Sequence, residues 1–69
     1  MRKFAVLIEK GTQNYSAYVP DLPGCIATGD SIDEVRQLIR EGIYFHIDGL
    51  IQDGLPVPEP TTICECVEA

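Results

Sequence analysis

Phe4, Val6 and Ile8 alternate with Ala5 and Leu7, and both sets are apolar. A strand with one wet face alternates apolar with polar residues, so the stretch Arg2 to Glu9 reads as a central strand covered on both sides. Lys10 to Asn14 reads as a turn in which Gly11 is free to take a positive φ. Tyr15 to Val19 and Cys25 to Thr28 read as the second and third strands. The pattern then changes period. Ser31-Ile32-Asp33-Glu34 has the form of a capping box, with Asp33 and Glu34 at the positive end of the helix dipole. Behind it Ile32, Val35, Ile39, Ile43, His46 and Leu50 recur at three- and four-residue spacing and define one apolar face. Leu38, Gly42, Phe45 and Gly49 are expected to widen that face on one side, and Gly42 and Gly49 to permit close approach or a bend. Asp33, Glu34, Gln37, Glu41, Asp48 and Gln52 form the wet side. Gly54 followed by Pro56 ends the helix.

Leu55 to Pro60 holds three alternating prolines and reads as a stiff, extended connector. Thr61 to Val67 reads as a last strand. The predicted fold is therefore α+β, in the order β-β-β-α-β. Two hairpin links make the first three strands antiparallel, and the helix crosses over to bring the fourth parallel to the first. This gives a four-stranded mixed sheet of order 3-2-1-4 with one helix packed on one face.

Sixty-nine residues make one domain, over residues 1–69, whose core is small for its surface. Cys25, Cys64 and Cys66 cannot all pair internally. Met1-Arg2-Lys3 leads into an apolar run that stops at Glu9, too short for a signal peptide or a membrane span. The expectation is a cytoplasmic protein with reduced thiols, stabilised by association into a homo-oligomer, a dimer or tetramer. The formal charge of −6, with only five basic residues, argues against direct nucleic-acid binding and steers the domain toward a basic partner.

The densest cluster of special residues is Val19-Pro20-Asp21-Leu22-Pro23-Gly24-Cys25. Pro20 and Pro23 fix φ, the residue before a proline is held extended, and Gly24 can adopt a positive φ. Asp21 is expected to bond local backbone N–H groups. This is turn chemistry. The functional alternative makes Tyr18, Asp21 and Leu22 part of a partner surface, where tyrosine is enriched.

That heptapeptide, followed by Gly29, Ser31 and Glu34 at the acidic helix start, and the connector Pro-Val-Pro-Glu-Pro at 56–60, resemble the HicB-like antitoxin family at its minimal single-domain end. The resemblance implies a partial ribonuclease-H-like fold. It also implies an antitoxin that occludes a small basic HicA-type toxin, a ribonuclease that cuts messenger RNA. Longer members add a C-terminal DNA-binding domain, and none is expected within these residues. The alternative is a solitary, self-associating domain with a scaffold or small-ligand role.

A ribonuclease-H-like shape does not by itself bring nuclease chemistry, which needs an acidic cluster holding two divalent metals. No acidic residue interrupts Phe4 to Ile8, where such folds usually carry their first ligand. Cys64 and Cys66 are two residues apart, a poor spacing for zinc. Cys25 reads as core, and His46 as a core histidine satisfied by a hydrogen bond. No catalytic residue, metal or cofactor is expected.

Overall fold

The computed structural model describes residues 2–69. Three strands, β1 (Leu7–Lys10), β2 (Tyr15–Tyr18) and β3 (Ile26–Gly29), are followed by one long helix, α1 (Ile32–Gln52). The sheet is antiparallel in the order β1-β2-β3. The protein is thus α+β with three antiparallel strands and one helix. The four-stranded order 3-2-1-4 is corrected to three strands, because no strand is formed within Thr61 to Val67. The first strand is also shorter than the pattern predicts. Ladder pairing begins at Leu7, although Phe4 and Val6 still pack against the core. Among the described residues no strand lies beyond β1, so it is an edge strand and β2 takes the centre.

Register explains which side of the sheet is covered. Ile8 pairs with Ala17, and Ala17 with Ala27, and this row meets the helix. The adjacent row, Leu7 with Tyr18 and Tyr18 with Ile26, points to the other face. There Ile26 is 72% exposed. A period of two forces this division, since successive side chains on a strand leave on opposite sides.

The core is small and draws on every local motif. Ala17 and Val19 come from β2 and its end, Leu22 and Cys25 from the corner between β2 and β3, and Val35 and Ile39 from α1. Along the helix the seam continues through Ile43 and Ile47. Val35, Ile39, Ile43 and Ile47 are four residues apart, a row inclined to the helix axis. The seam therefore drifts round the helix toward β1, and side chains on the other flank turn outward. This corrects the expectation for Phe45, which is 83% exposed rather than part of a widened buried face. Leu38 is exposed on the same flank. The two helix glycines also differ. A Cβ at Gly42 would lie 3.7 Å from the Cys25 Sγ, an ordinary contact, whereas one at Gly49 would meet open space.

Both helix ends are closed by the chain itself. The Glu34 N–H donates to the Ser31 Oγ at 3.1 Å, and the Glu34 carboxylate accepts from the Asp30 N–H at 2.7 Å. The reciprocal bond thus reaches one residue before the N-cap. At the C-terminus the Gly54 N–H donates to the Ile51 carbonyl and the Leu55 N–H to the Leu50 carbonyl, with Gly54 at φ +70°. That pair of bonds is a Schellman closure. Gly11, by contrast, stays out of the left-handed region, and its turn closes through the Gly11 N–H and the Asn14 carbonyl at 2.7 Å.

Candidate partner interface

The corner between β2 and β3 is two proline-headed turns sharing one residue. The Leu22 N–H donates to the Val19 carbonyl at 3.1 Å, and the Cys25 N–H to the Leu22 carbonyl at 3.0 Å. Pro23 and Gly24 fill the middle of the second turn with Gly24 at φ +85°, the arrangement of a type II turn. Pro20 heads the first turn. Leu22, shared between them, is driven inward and is completely buried. It is therefore a core residue, and its side chain offers no surface to a partner.

Asp21 points the other way and is committed as well. Its carboxylate accepts four hydrogen bonds: from the N–H groups of Thr61 and Thr62 at 3.1 and 3.0 Å, and from their hydroxyls, each at 3.0 Å. The partners are not local, as the turn chemistry suggested, but forty residues further along. The corner heptapeptide and the segment that follows the proline connector thus meet in space. Arg2 and Glu59 form an exposed ion pair at 3.4 Å beside them, of a kind that contributes little on its own.

Led by the Thr62 N–H, these bonds hold the Asp21 carboxyl below its ordinary value of 3.8. A depressed carboxyl pKa stabilises the anchored arrangement above the unfolded value, and the contribution is lost as pH falls through the folded one. The Thr62 amide proton is expected to titrate in NMR with a midpoint below 3.8, and to lose that titration in Asp21→Asn. An inflection at or above the ordinary value would contradict the anchor.

Of the remaining sequence-singled residues, Gly29, Ser31 and Glu34 gather at the helix cap. Tyr18 is 38% exposed on the sheet face away from α1, next to Ile26. The structure therefore does not bring Tyr18, Asp21 and Leu22 into one surface. Burial pushes the Cys25 thiol up from its ordinary value, as expected of a core cysteine. Cys64 and Cys66 are exposed and free. Among the described residues, no three His, Cys, Asp or Glu side chains gather as a metal-holding set. His46 is half-buried, and no hydrogen bond to its ring is found among these residues, contrary to the satisfied core histidine expected.

The surface with the strongest character is the outer side of α1. Glu34, Glu41 and Asp48 recur every seven residues and form one exposed acidic column. Seven residues are two helical turns, so each step rises about 10 Å. The neighbouring columns are Gln37, Tyr44, Ile51 on one side and Leu38, Phe45, Gln52 on the other. Tyr44 is 70% and Phe45 83% exposed. Two aromatics flanking a line of carboxylates suit a basic protein partner, since aromatic residues are enriched at interfaces and charge steers encounter. Period-3.6 reading placed the acidic column correctly but missed Tyr44 and put Phe45 inside. The seven-residue recurrence was the signal that could have found both.

Three antiparallel strands and one helix define a small α+β domain. The sequence matches the family profile described as HicB_like antitoxin of bacterial toxin-antitoxin system over residues 4–69, and the chain belongs to that family. The family points to a non-enzymatic role. Among relatives, an uncharacterised 14.9 kDa protein of Haemophilus phage HP1 is 37% identical over 60 residues, covering 87% of this chain but 45% of its own length. A UPF0150 protein of Synechocystis is 39% identical over 61 residues, covering 87% of this chain and 77% of the relative. The chain thus spans less than half of the phage protein. A chain of the solved HicA3 and HicB3 toxin-antitoxin complex superposes with a TM-score of 0.73 at 27% identity, covering 87% of this chain and 70% of that one. Among the described residues, no helix is long and apolar enough to cross a membrane.

Proposed function

We propose that this protein is a cytoplasmic antitoxin that neutralises a small basic, RNA-cleaving toxin of the HicA type by covering its RNA-binding surface with the outer face of α1. The observation that carries this reading is the likeness of the fold to a chain of a toxin-antitoxin complex, in a chain belonging to an antitoxin family. The geometry supplies the means. Glu41 and Asp48 compete for the basic groups that would hold RNA phosphates, and Tyr44 and Phe45 provide apolar area beside them. The chain itself contributes no catalytic group and no cofactor; its role is occlusion. Tyr18 and Ile26 form a second patch on the bare sheet face.

Co-expression with a small basic toxin of the HicA type is expected to restore growth and yield a stable complex. Phe45→Ala with Glu41→Lys and Asp48→Lys is expected to weaken that complex roughly a hundredfold or more, with a steep loss of association rate at low salt. These residues are exposed, so the variant keeps its helical circular dichroism. No complex with the unmodified protein, or undiminished rescue by the triple variant, would refute the reading.

A further inference from the structure

The toxin reading leaves one pair of reactive side chains unused. Cys64 and Cys66 are both free and exposed, with Glu65 between them. The chain makes no turn or bend from Leu55 to Val67. Along such a stretch successive side chains leave on opposite sides, so the two thiols share one side and Glu65 takes the other. The pair also follows closely on a fixed point. The N–H groups and hydroxyls of Thr61 and Thr62 are bonded to Asp21 at 3.0–3.1 Å, and Cys64 comes two residues later.

Spacing and number decide what two such thiols can hold. At about 3.3 Å per residue their Cα atoms lie about 7 Å apart, beyond the roughly 5.5–6 Å that a disulfide usually spans. Closing that bond would require the chain to buckle, and an oxidant as well. A bridging ion requires neither, because two metal–sulfur bonds, each about 2.3 Å as for zinc, then lie between the sulfurs. Zinc itself is poorly served, since it takes four ligands. Among the described residues, no three His, Cys, Asp or Glu side chains gather as a set. Soft thiolates select monovalent copper, and such a closed-shell ion is satisfied by two sulfurs in line. The spacing that counts against zinc thus fits a two-coordinate ion.

We propose that Cys64 and Cys66 form a two-thiolate site for a soft monovalent cation, Cu(I) being the ion that matches both ligand type and ligand count. Loading exchanges protons for metal: two thiols and one Cu(I) give a bis-thiolate complex and two protons, with no change of oxidation state. The complex carries a single negative charge. Arg2 and Lys3 line one hollow with Thr61, Thr62 and Ile63, so cationic side chains stand beside the residue that precedes Cys64. Cys25 takes no part, because its thiol is buried in the core. The site shares no residue with the outer face of α1, and it stands independently of toxin binding.

Anaerobic titration of the reduced chain with Cu(I), in competition with bicinchoninate, is expected to show one ion bound per chain. Cys64→Ser and Cys66→Ser should each weaken binding roughly a hundredfold or more, since even the outer-shell partners of metal ligands are worth about 10–100-fold. The double variant, which keeps Cys25, should take up no copper against the same competitor, and His46→Ala should bind as the parent does. Both cysteines are exposed, so circular dichroism is expected to stay unchanged in these variants. X-ray absorption at the copper edge should give two sulfur neighbours and no nitrogen, and light scattering an unchanged mass on loading. Equal uptake by the parent and the double variant, a loss from only one of the two single substitutions, a third sulfur or a nitrogen neighbour, or a copper-dependent doubling of mass would each overturn the site.

Discussion

Leu22→Ala is expected to cost about 2–5 kcal/mol, the range for truncating a fully buried leucine. A chain of 69 residues has roughly 3–10 kcal/mol of stability in total. The substitution should therefore populate the unfolded state visibly without denaturant, read by urea unfolding followed through far-ultraviolet circular dichroism. The size of the effect follows from position. Leu22 has no exposed surface and belongs to a core of six buried side chains, the others being Ala17, Val19, Cys25, Val35 and Ile39. Two of those, Val19 and Cys25, are held to the same corner by their own backbone bonds, the Val19 N–H donating to the Cys25 carbonyl at 3.2 Å. A cavity there cannot collapse easily, because Pro20 and Pro23 fix the backbone on either side. Leu22→Met, which nearly conserves volume, should cost less than about 1.5 kcal/mol. Equal losses from both substitutions would show that packing at this corner is not what holds the fold.

Leu22 also shows where sequence reasoning succeeds and fails. The corner's conformation was legible because it depends on neighbours: Pro23 before Gly24 specifies its turn, and Ser31 three residues before Glu34 specifies a cap. Each of these is decided within a few residues. The direction in which the corner sends its side chains was not legible, because it depends on where α1 lies. Hence Leu22 could be read as surface, and Asp21 as a local turn residue, although its partners are Thr61 and Thr62. No periodicity links positions forty residues apart. Phe45 failed for a related reason. A helix wheel assumes a seam parallel to the axis, whereas the real seam follows the inclined row from Val35 to Ile47. The alternating Ile63 to Val67 has the composition of a strand, but composition does not supply a ladder partner, and no strand is formed there.

Gly29→Ala is expected to destabilise by about 1–3 kcal/mol through overpacking, although it adds a single methyl group. A Cβ there would stand 2.8 Å from the Glu34 Oε1, 3.2 Å from the Glu34 Cγ and 3.1 Å from the Val35 backbone nitrogen. The carboxylate can swing away only by releasing the Asp30 N–H, which it holds at 2.7 Å. The nitrogen has less freedom, because the Val35 N–H is the first helical donor, bonded to the Ser31 carbonyl at 3.0 Å, and its side chain is completely buried. The methyl group therefore pushes on the cap and the core together. Ser31→Ala removes only the hydroxyl half of the cap, for about 1 kcal/mol. Denaturant midpoints should rank Gly29→Ala below Ser31→Ala. The double variant should lose less than the sum, since both substitutions disrupt one cap. Full additivity, or a Gly29→Ala protein as stable as the parent, would mean that β3 and α1 are not as closely apposed as these distances require.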